Sequence, residues 1–154
     1  MNSRNIPLDY ANDLLYGLQK AFWDERGRGA RFRLTTVGRH YFVERCLPLI
    51  QSSEPARILD ALGDFLQREE IAEKVAFDLQ DRLLRVRIEG CIHRPIQASM
   101  AEQGIEPLTC VAANAIALAL EERMGRPVEL ADIRTEEGIC ELLLVLFEKR
   151  PALD

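Results

Sequence analysis

No apolar run in this sequence approaches the ~20 residues that a membrane-spanning helix requires. The opening Met1-Asn2-Ser3-Arg4-Asn5 leads into mixed polar sequence with no apolar segment of the kind a secretion signal carries. These two absences make a cytoplasmic protein the expectation. Also missing are a Gly-x-Gly-x-x-Gly fingerprint, a phosphate-binding loop and a Gly-x-Ser-x-Gly elbow, so the common nucleotide sites and hydrolase nucleophiles are not expected. Positive charge is not in excess: 20 Lys and Arg stand against 25 Asp and Glu, for a net charge of −5. The basic residues are scattered, apart from Arg26, Arg28, Arg31 and Arg33, which read as a solvated turn and strand edge. Nucleic acid is therefore not an expected partner. There is no internal repeat and no low-complexity tract.

Soft donors are few: four cysteines and two histidines. In a reducing compartment, metal ligation or plain burial accounts for such thiols better than disulfides do. Hydrophobic content of 47% with 29% charged residues is ordinary for a folded chain, and 154 residues favour one domain spanning 1–154.

The apolar pattern divides the chain into helical and extended stretches. Leu8 to Trp23 has Ala11, Leu14, Leu15, Leu18 and Phe22 at helical spacing, and the glycines after Arg26 stop it. Thr35 or Thr36 is placed to cap a second helix carrying Val37, Tyr41, Val43 and Leu47. Ser52-Ser53-Glu54-Pro55 opens a third, with serine as cap and proline in the first turn, and Ile58, Leu59, Leu62, Phe65 and Leu66 as its buried stripe. The period then changes to two. Val75, Phe77 and Leu79 alternate with polar neighbours, and so do Leu84, Val86 and Ile88, with Arg85, Arg87 and Glu89 on the other face. That is a hairpin turning at Gln80-Asp81-Arg82. A short helix from Pro95 to Gln103 follows. Thr109 then caps a long helix from Cys110 to Met124, rich in small residues. Val128 to Arg134 and Ile139 to Phe147 form a second hairpin around Glu136-Glu137-Gly138. The predicted class is α+β: N-terminal helices, two antiparallel hairpins forming one sheet, and helices packed on it. The last strand is apolar on both faces, with Leu142, Leu144 and Leu146 alternating with Leu143, Val145 and Phe147. Both faces need cover, so a homodimer is the economical expectation.

The most purposeful polar set is Cys91 and His93 in Cys91-Ile92-His93-Arg94-Pro95, taken with Cys110 and Cys140. In an extended segment Cys91 and His93 point to one side. Cys110 falls in the first turn of its helix, where free N–H groups and the helix dipole favour a thiolate. Cys140 follows a tight turn and meets Cys110 if the last hairpin packs on the long helix. Three thiols and an imidazole suggest a tetrahedral site for zinc, with an iron–sulfur cluster as the alternative. Packing is the competing explanation, since free cysteine is among the most buried residue types. Cys46, on a helix stripe, reads as a core residue and His40 as an ordinary surface one. Paired acids such as Glu69-Glu70, Glu121-Glu122 and Glu136-Glu137 read as solvated faces and turns. A thiol–imidazole enzyme using Cys91 or Cys110 with His93 lacks an evident orienting carboxylate, Asp132 being a distant candidate.

From Cys110 onward the chain resembles the 4-vinyl-reductase-like (hydrocarbon-binding) domain. The resemblance is carried by Cys110, the helix Asn114-Ala115-Ile116-Ala117-Leu118-Ala119-Leu120-Glu121-Glu122-Arg123-Met124-Gly125, the segment Pro127-Val128-Glu129-Leu130, and Cys140 opening the last strand. The upstream order also fits, over about Leu14 to Phe147. That family shares its fold with haem–nitric-oxide sensors and Golgi transport particle subunits. The resemblance implies dimerisation and an apolar cavity for a hydrophobic or tetrapyrrole-like small molecule. In the family's sensor branch three cysteines and a glutamate hold zinc. By position Cys110 and Cys140 correspond to the first and last ligands, and Asp132 to the acidic one. The middle cysteine falls near Thr135, which is no soft ligand. Cys91 and His93 would then supply the missing donors.

The expectation is a non-enzymatic binding or sensor module with a Cys/His metal site at Cys91, His93, Cys110 and Cys140. Its output would pass through a downstream protein partner. The alternatives are an enzyme or accessory of tetrapyrrole metabolism using a reactive cysteine, and a dimeric structural adaptor whose cysteines are merely packed.

Overall fold

The computed structural model describes residues 5–34 and 36–148, with the backbone alone for 32–34. Helix α1 (Leu8–Arg26) is followed by a 3-10 segment (Gly27–Leu34), α2 (Arg39–Arg45), a short 3-10 turn (Leu47–Leu49) and α3 (Pro55–Arg68). Strands β1 (Lys74–Gln80) and β2 (Leu83–Glu89) come next, then α4 (Arg94–Glu102) and α5 (Val111–Met124). The chain ends in β3 (Val128–Glu136) and β4 (Ile139–Leu146). This is the expected α+β order. All strand pairs are antiparallel and the sheet order is β1-β2-β4-β3. The two hairpins join where β2 meets β4, with Ile88 opposite Cys140 and Val86 opposite Leu142.

The period-two pattern produces a sheet with one buried face. Leu84, Val86, Ile88, Cys140, Leu142, Leu144 and Leu146 are all buried on its inner side, where α3 lies against β1 and α5 against β3 and β4. Removing such apolar area from water is worth about 25 cal/mol per Å², and here it joins sheet and helices in one core. The outer face is a charged ladder, with Asp78 opposite Arg85 and Arg87 opposite Glu141. Among the described residues, no helix covers the second face of β4. Leu143 and Val145 are half-buried there, with Arg85, Asp132 and Glu129 as cross-strand neighbours.

Helix α3 buries the stripe read from its sequence: Ile58, Leu59, Leu62, Phe65 and Leu66. Its cap differs. Glu54 is the N-cap without a side-chain bond, and Ser52 Oγ instead accepts the Glu54 N–H at 3.0 Å. Helix α5 is buried nearly all round because Ala112, Ala113, Ala115 and Ala119 let neighbours approach on several sides.

Two helical readings are corrected. In α2 the buried residue is Phe42, followed by Cys46 and Ile50, while Tyr41 and Val43 are exposed. The N-cap is Gly38, with φ of 82°, rather than Thr36. The left-handed turn at glycine starts the helix later and rotates its stripe by one residue. Thr35 and the leader segment 1–4 lie outside the described residues. In α1, Leu14 and Leu18 are exposed and the buried positions are Asn12 and Gln19. The inner face of this helix packs Leu15, Tyr16 and Trp23 on α4, with Asn12 and Gln19 interleaved. The apolar period was present, but its phase was misassigned. Among the described residues no helix is long and apolar enough to cross a membrane.

Candidate functional site

Three short segments converge at one end of the inner sheet face: the turn after β2, the start of α5, and the first residues of β4. Gly90, with φ of 64°, ends β2. The chain then turns rather than running on extended, since the Arg94 N–H donates to the Cys91 carbonyl at 3.1 Å and His93 becomes the N-cap of α4. The period-two argument for Cys91 and His93 therefore fails. The two are held near one another by the turn, in which the His93 N–H donates to Cys91 Sγ at 3.4 Å.

Cys110 is the N-cap of α5, and its Sγ accepts the Ala113 N–H at 3.5 Å. Thr109, expected as the cap, is turned to Asn114, whose amide donates to Thr109 Oγ1 at 2.9 Å. Cys140 sits one residue into β4, buried, and Gln97 of α4 donates to its Sγ at 3.6 Å. The last hairpin does pack on the long helix, and Cys110 and Cys140 lie close enough for their titrations to be coupled. Cys91 lies close enough for its charge state to act on Cys140 and to feel Cys110. Three of the four sequence-selected donors thus form one thiol cluster. The fourth, His93, borders the same small cavity as Cys91 and Cys110, together with Leu15, Gln19 and Met100. That cavity measures about 20 Å³, room for one water and not for a hydrophobic ligand.

Helix α1 supplies what the sequence reading missed. Asn12 Nδ2 donates to the Ile92 carbonyl at 2.9 Å, which turns Asn12 Oδ1 toward His93 Nδ1, also at 2.9 Å. An acceptor oxygen at that distance requires Nδ1 to carry the proton, so Nε2 keeps its lone pair. Two turns further along, Gln19 Oε1 accepts the N–H groups of Leu108 and Thr109 at 2.9 and 3.2 Å. One helix face therefore fixes both the loop carrying His93 and the loop leading into Cys110. The one signal in the sequence was a polar pair seven residues apart within an apolar helix. Arg28 and Arg31 add ion pairs to Glu106, and Arg31 donates to the Pro107 carbonyl. The Arg33 side chain lies outside the described residues.

Electrostatics sharpen the distinction among the thiols. Burial pushes the Cys91 thiol up to about 11, against the smaller opposing pull of the His93 N–H. Cys110 and Cys140 titrate as a pair. Their mutual hydrogen bond, aided by burial, holds the proton on Cys110 well above the usual thiol range, and the same bond lowers Cys140. The lowered thiol expected at Cys110 from the helix dipole is instead Cys140, because the shared proton outweighs two backbone N–H contacts at Cys110. Burial also lowers His93, which favours the neutral imidazole.

Asp132 does not join the cluster. It is ion-paired with Arg134 at 2.7 Å and faces Leu143, on the side of the sheet away from Cys140. Thr135 pairs directly with Cys140 across the ladder. Cys46 is buried in the main core and His40 is exposed beside Glu44. Among the described residues, no group of three or more His, Cys, Asp and Glu side chains is arranged to hold a metal ion. The donor types suit a soft metal, but as they stand Cys110 and Cys140 are coupled to each other and Cys91 accepts the His93 N–H, so they do not close a cage.

No curated protein matches the chain. The model of the family described as "Putative rubredoxin C-terminal domain" matches residues 11–146, from α1 to the last residue of β4, and the chain belongs to that family.

Proposed function

We propose that the chain is a non-enzymatic binding module with a metal- or redox-linked role, in which Cys91, Cys110, Cys140 and His93 serve one soft metal ion. The observation that carries this reading is the convergence of three thiols from three separate elements beside an imidazole whose Nε2 is left as an acceptor. The family description, which names a rubredoxin, supports a metal or redox connection. Zinc and iron are the two candidates that thiolate and imidazole donors accommodate. A bound ion would tie the end of β2, the start of α5 and β4 together, and would require the thiols to give up their protons. The resemblance to 4-vinyl-reductase-like domains belongs to the same proposal. It is supported by the order helices, hairpin, two helices, hairpin, with cysteines at the start of α5 and in β4. A hydrophobic ligand would need more room than the cavity beside the cysteines offers.

A catalytic thiol is the weaker alternative, because burial holds Cys91 at about 11, and the interaction with Cys140, aided by burial, holds Cys110 above the usual thiol range. Elemental analysis of protein purified without added metal tests the main reading. Near-stoichiometric zinc or iron, lost in Cys110→Ser and Cys140→Ser variants with a fall in melting temperature, is the expected result. Iron would colour the protein and zinc would not. No bound metal, together with unchanged melting of both variants, overturns the proposal. Rapid alkylation of one cysteine at neutral pH would favour the catalytic alternative.

A further inference from the structure

Helix α1 has two apolar faces, and the described residues cover only one of them. The inner face packs Leu15, Tyr16 and Trp23 against α4. The outer face leaves Tyr10 56%, Leu14 50% and Leu18 59% exposed, a concentration of large apolar side chains on one helix that an isolated chain rarely tolerates. Ala11, Gly17 and Ala21 lie exposed among them. Among the described residues, a Cβ placed on Gly17 would meet nothing within 4 Å, so they leave open space over the middle of the face.

We propose that a second copy of this chain covers this face, its α1 running antiparallel to the first about a two-fold axis level with the Leu15–Tyr16 peptide. The face is self-complementary, as a two-fold interface demands. Tyr10, Leu14, Gly17 and Ala21 follow the four-three-four spacing of a helix–helix seam. About that axis, Leu14 faces Gly17 of the partner subunit and Tyr10 faces Ala21 of the partner subunit, a large residue against a small one each time. On one flank Leu18 meets Ala11 of the partner subunit. On the other flank Asp13 meets Lys20 of the partner subunit, opposite charges at the positions where such pairs set orientation. Both are accessible: Asp13 is exposed, and the Lys20 side chain is 42% exposed beside Asp24. A parallel pair would oppose like to like along the seam, Tyr10 to Tyr10 and Gly17 to Gly17, and would leave Asp13 facing Leu18 of the partner subunit in place of an opposite charge.

The reading stands apart from the metal proposal. It keeps the expectation of a homodimer but assigns it to α1 in place of the outer face of β4. It also means that the helix holding His93 and the Cys110 loop through Asn12 and Gln19 is itself held by the partner.

Sedimentation equilibrium on the full chain, from roughly 1 to 500 µM to span weak and moderate interfaces, tests it. The expected result is a reversible monomer–dimer equilibrium. Leu14→Glu should weaken the dimer at least about tenfold. Gly17→Leu should do the same by filling the recess, while the monomer melts no lower, since the added side chain meets open space. Asp13→Lys should weaken association, and combining it with Lys20→Asp should restore it. A chain that stays monomeric throughout overturns the proposal. So does a dimer that survives Leu14→Glu or Gly17→Leu, or one that the double charge exchange fails to restore. Thermal melting of each variant shows that the fold is intact.

Discussion

Asn12 and Gln19 are the least conspicuous residues of the site, and its geometry depends on them. Each is buried, and each spends its side chain on the backbone of a loop that carries a candidate donor. Replacing Asn12 by Leu keeps the volume but leaves the Ile92 carbonyl and the His93 Nδ1 proton without partners. An unpaired buried polar group costs about 1–3 kcal/mol, so urea unfolding of Asn12→Leu should show a loss of that order. Gln19→Met removes the oxygen that accepts the Leu108 and Thr109 N–H groups and should cost a similar amount. The thiols make a second residue-scale prediction. With Cys91 and Cys46 each near 11, alkylation of the folded, metal-free protein should be slow at neutral pH, with Cys91 and Cys46 labelling faster as pH rises toward 11. Fast labelling of Cys91 at pH 7 would contradict its burial. Cys91, His93, Cys110 and Cys140 were selectable from the sequence because soft donors are scarce in it. Asn12 and Gln19 were not, because amides carry no motif and their role exists only once distant loops reach them.

At the scale of elements, α1 and α5 differ in instructive ways. Both are apolar on more than one side. Helix α5 is wrapped by α2, α3, β3 and β4, and its small residues permit that. Inserting bulk there should be costly: Ala115→Leu, at a fully enclosed position, should lower stability by about 1–3 kcal/mol in a denaturant titration. In α3, Leu62→Ala opens a cavity in the same core and should cost about 2–5 kcal/mol. The stripe of α3 was legible because its apolar residues occupy one arc, with polar residues elsewhere. In α1 the apolar residues fall on two arcs, one with Leu14 and Leu18 and one with Tyr16 and Trp23, so spacing identifies a helix but not which arc faces inward. In α2 a single left-handed glycine shifted the start of the helix and, with it, the buried arc.

For the whole molecule, the titrating groups define a pH window. Burial lowers His93 from its ordinary 6.5. The unfolded chain then binds a proton more readily than the folded one, so this contribution is complete above 6.5 and lost as pH falls below it. Burial raises Cys46 and Cys91 from 9.0 to about 11. Their contribution is complete below 9.0 and lost as pH climbs toward 11. Metal-free protein should therefore be most stable between about 6.5 and 9, and melting temperature against pH checks this. A maximum outside that window would contradict the burial of these groups. The sequence by itself determined the class, the two hairpins, the buried face of the sheet and the small set of soft donors. These follow from local period and composition, which a chain carries in any conformation. Only the tertiary structure decided which arc of α1 and α2 is inside, that the Cys91–His93 segment turns, that Cys110 rather than Thr109 caps α5, and that Cys140 takes the lowered thiol of the pair. Each of those depends on a partner far away in the chain, and local pattern holds no information about where that partner will be.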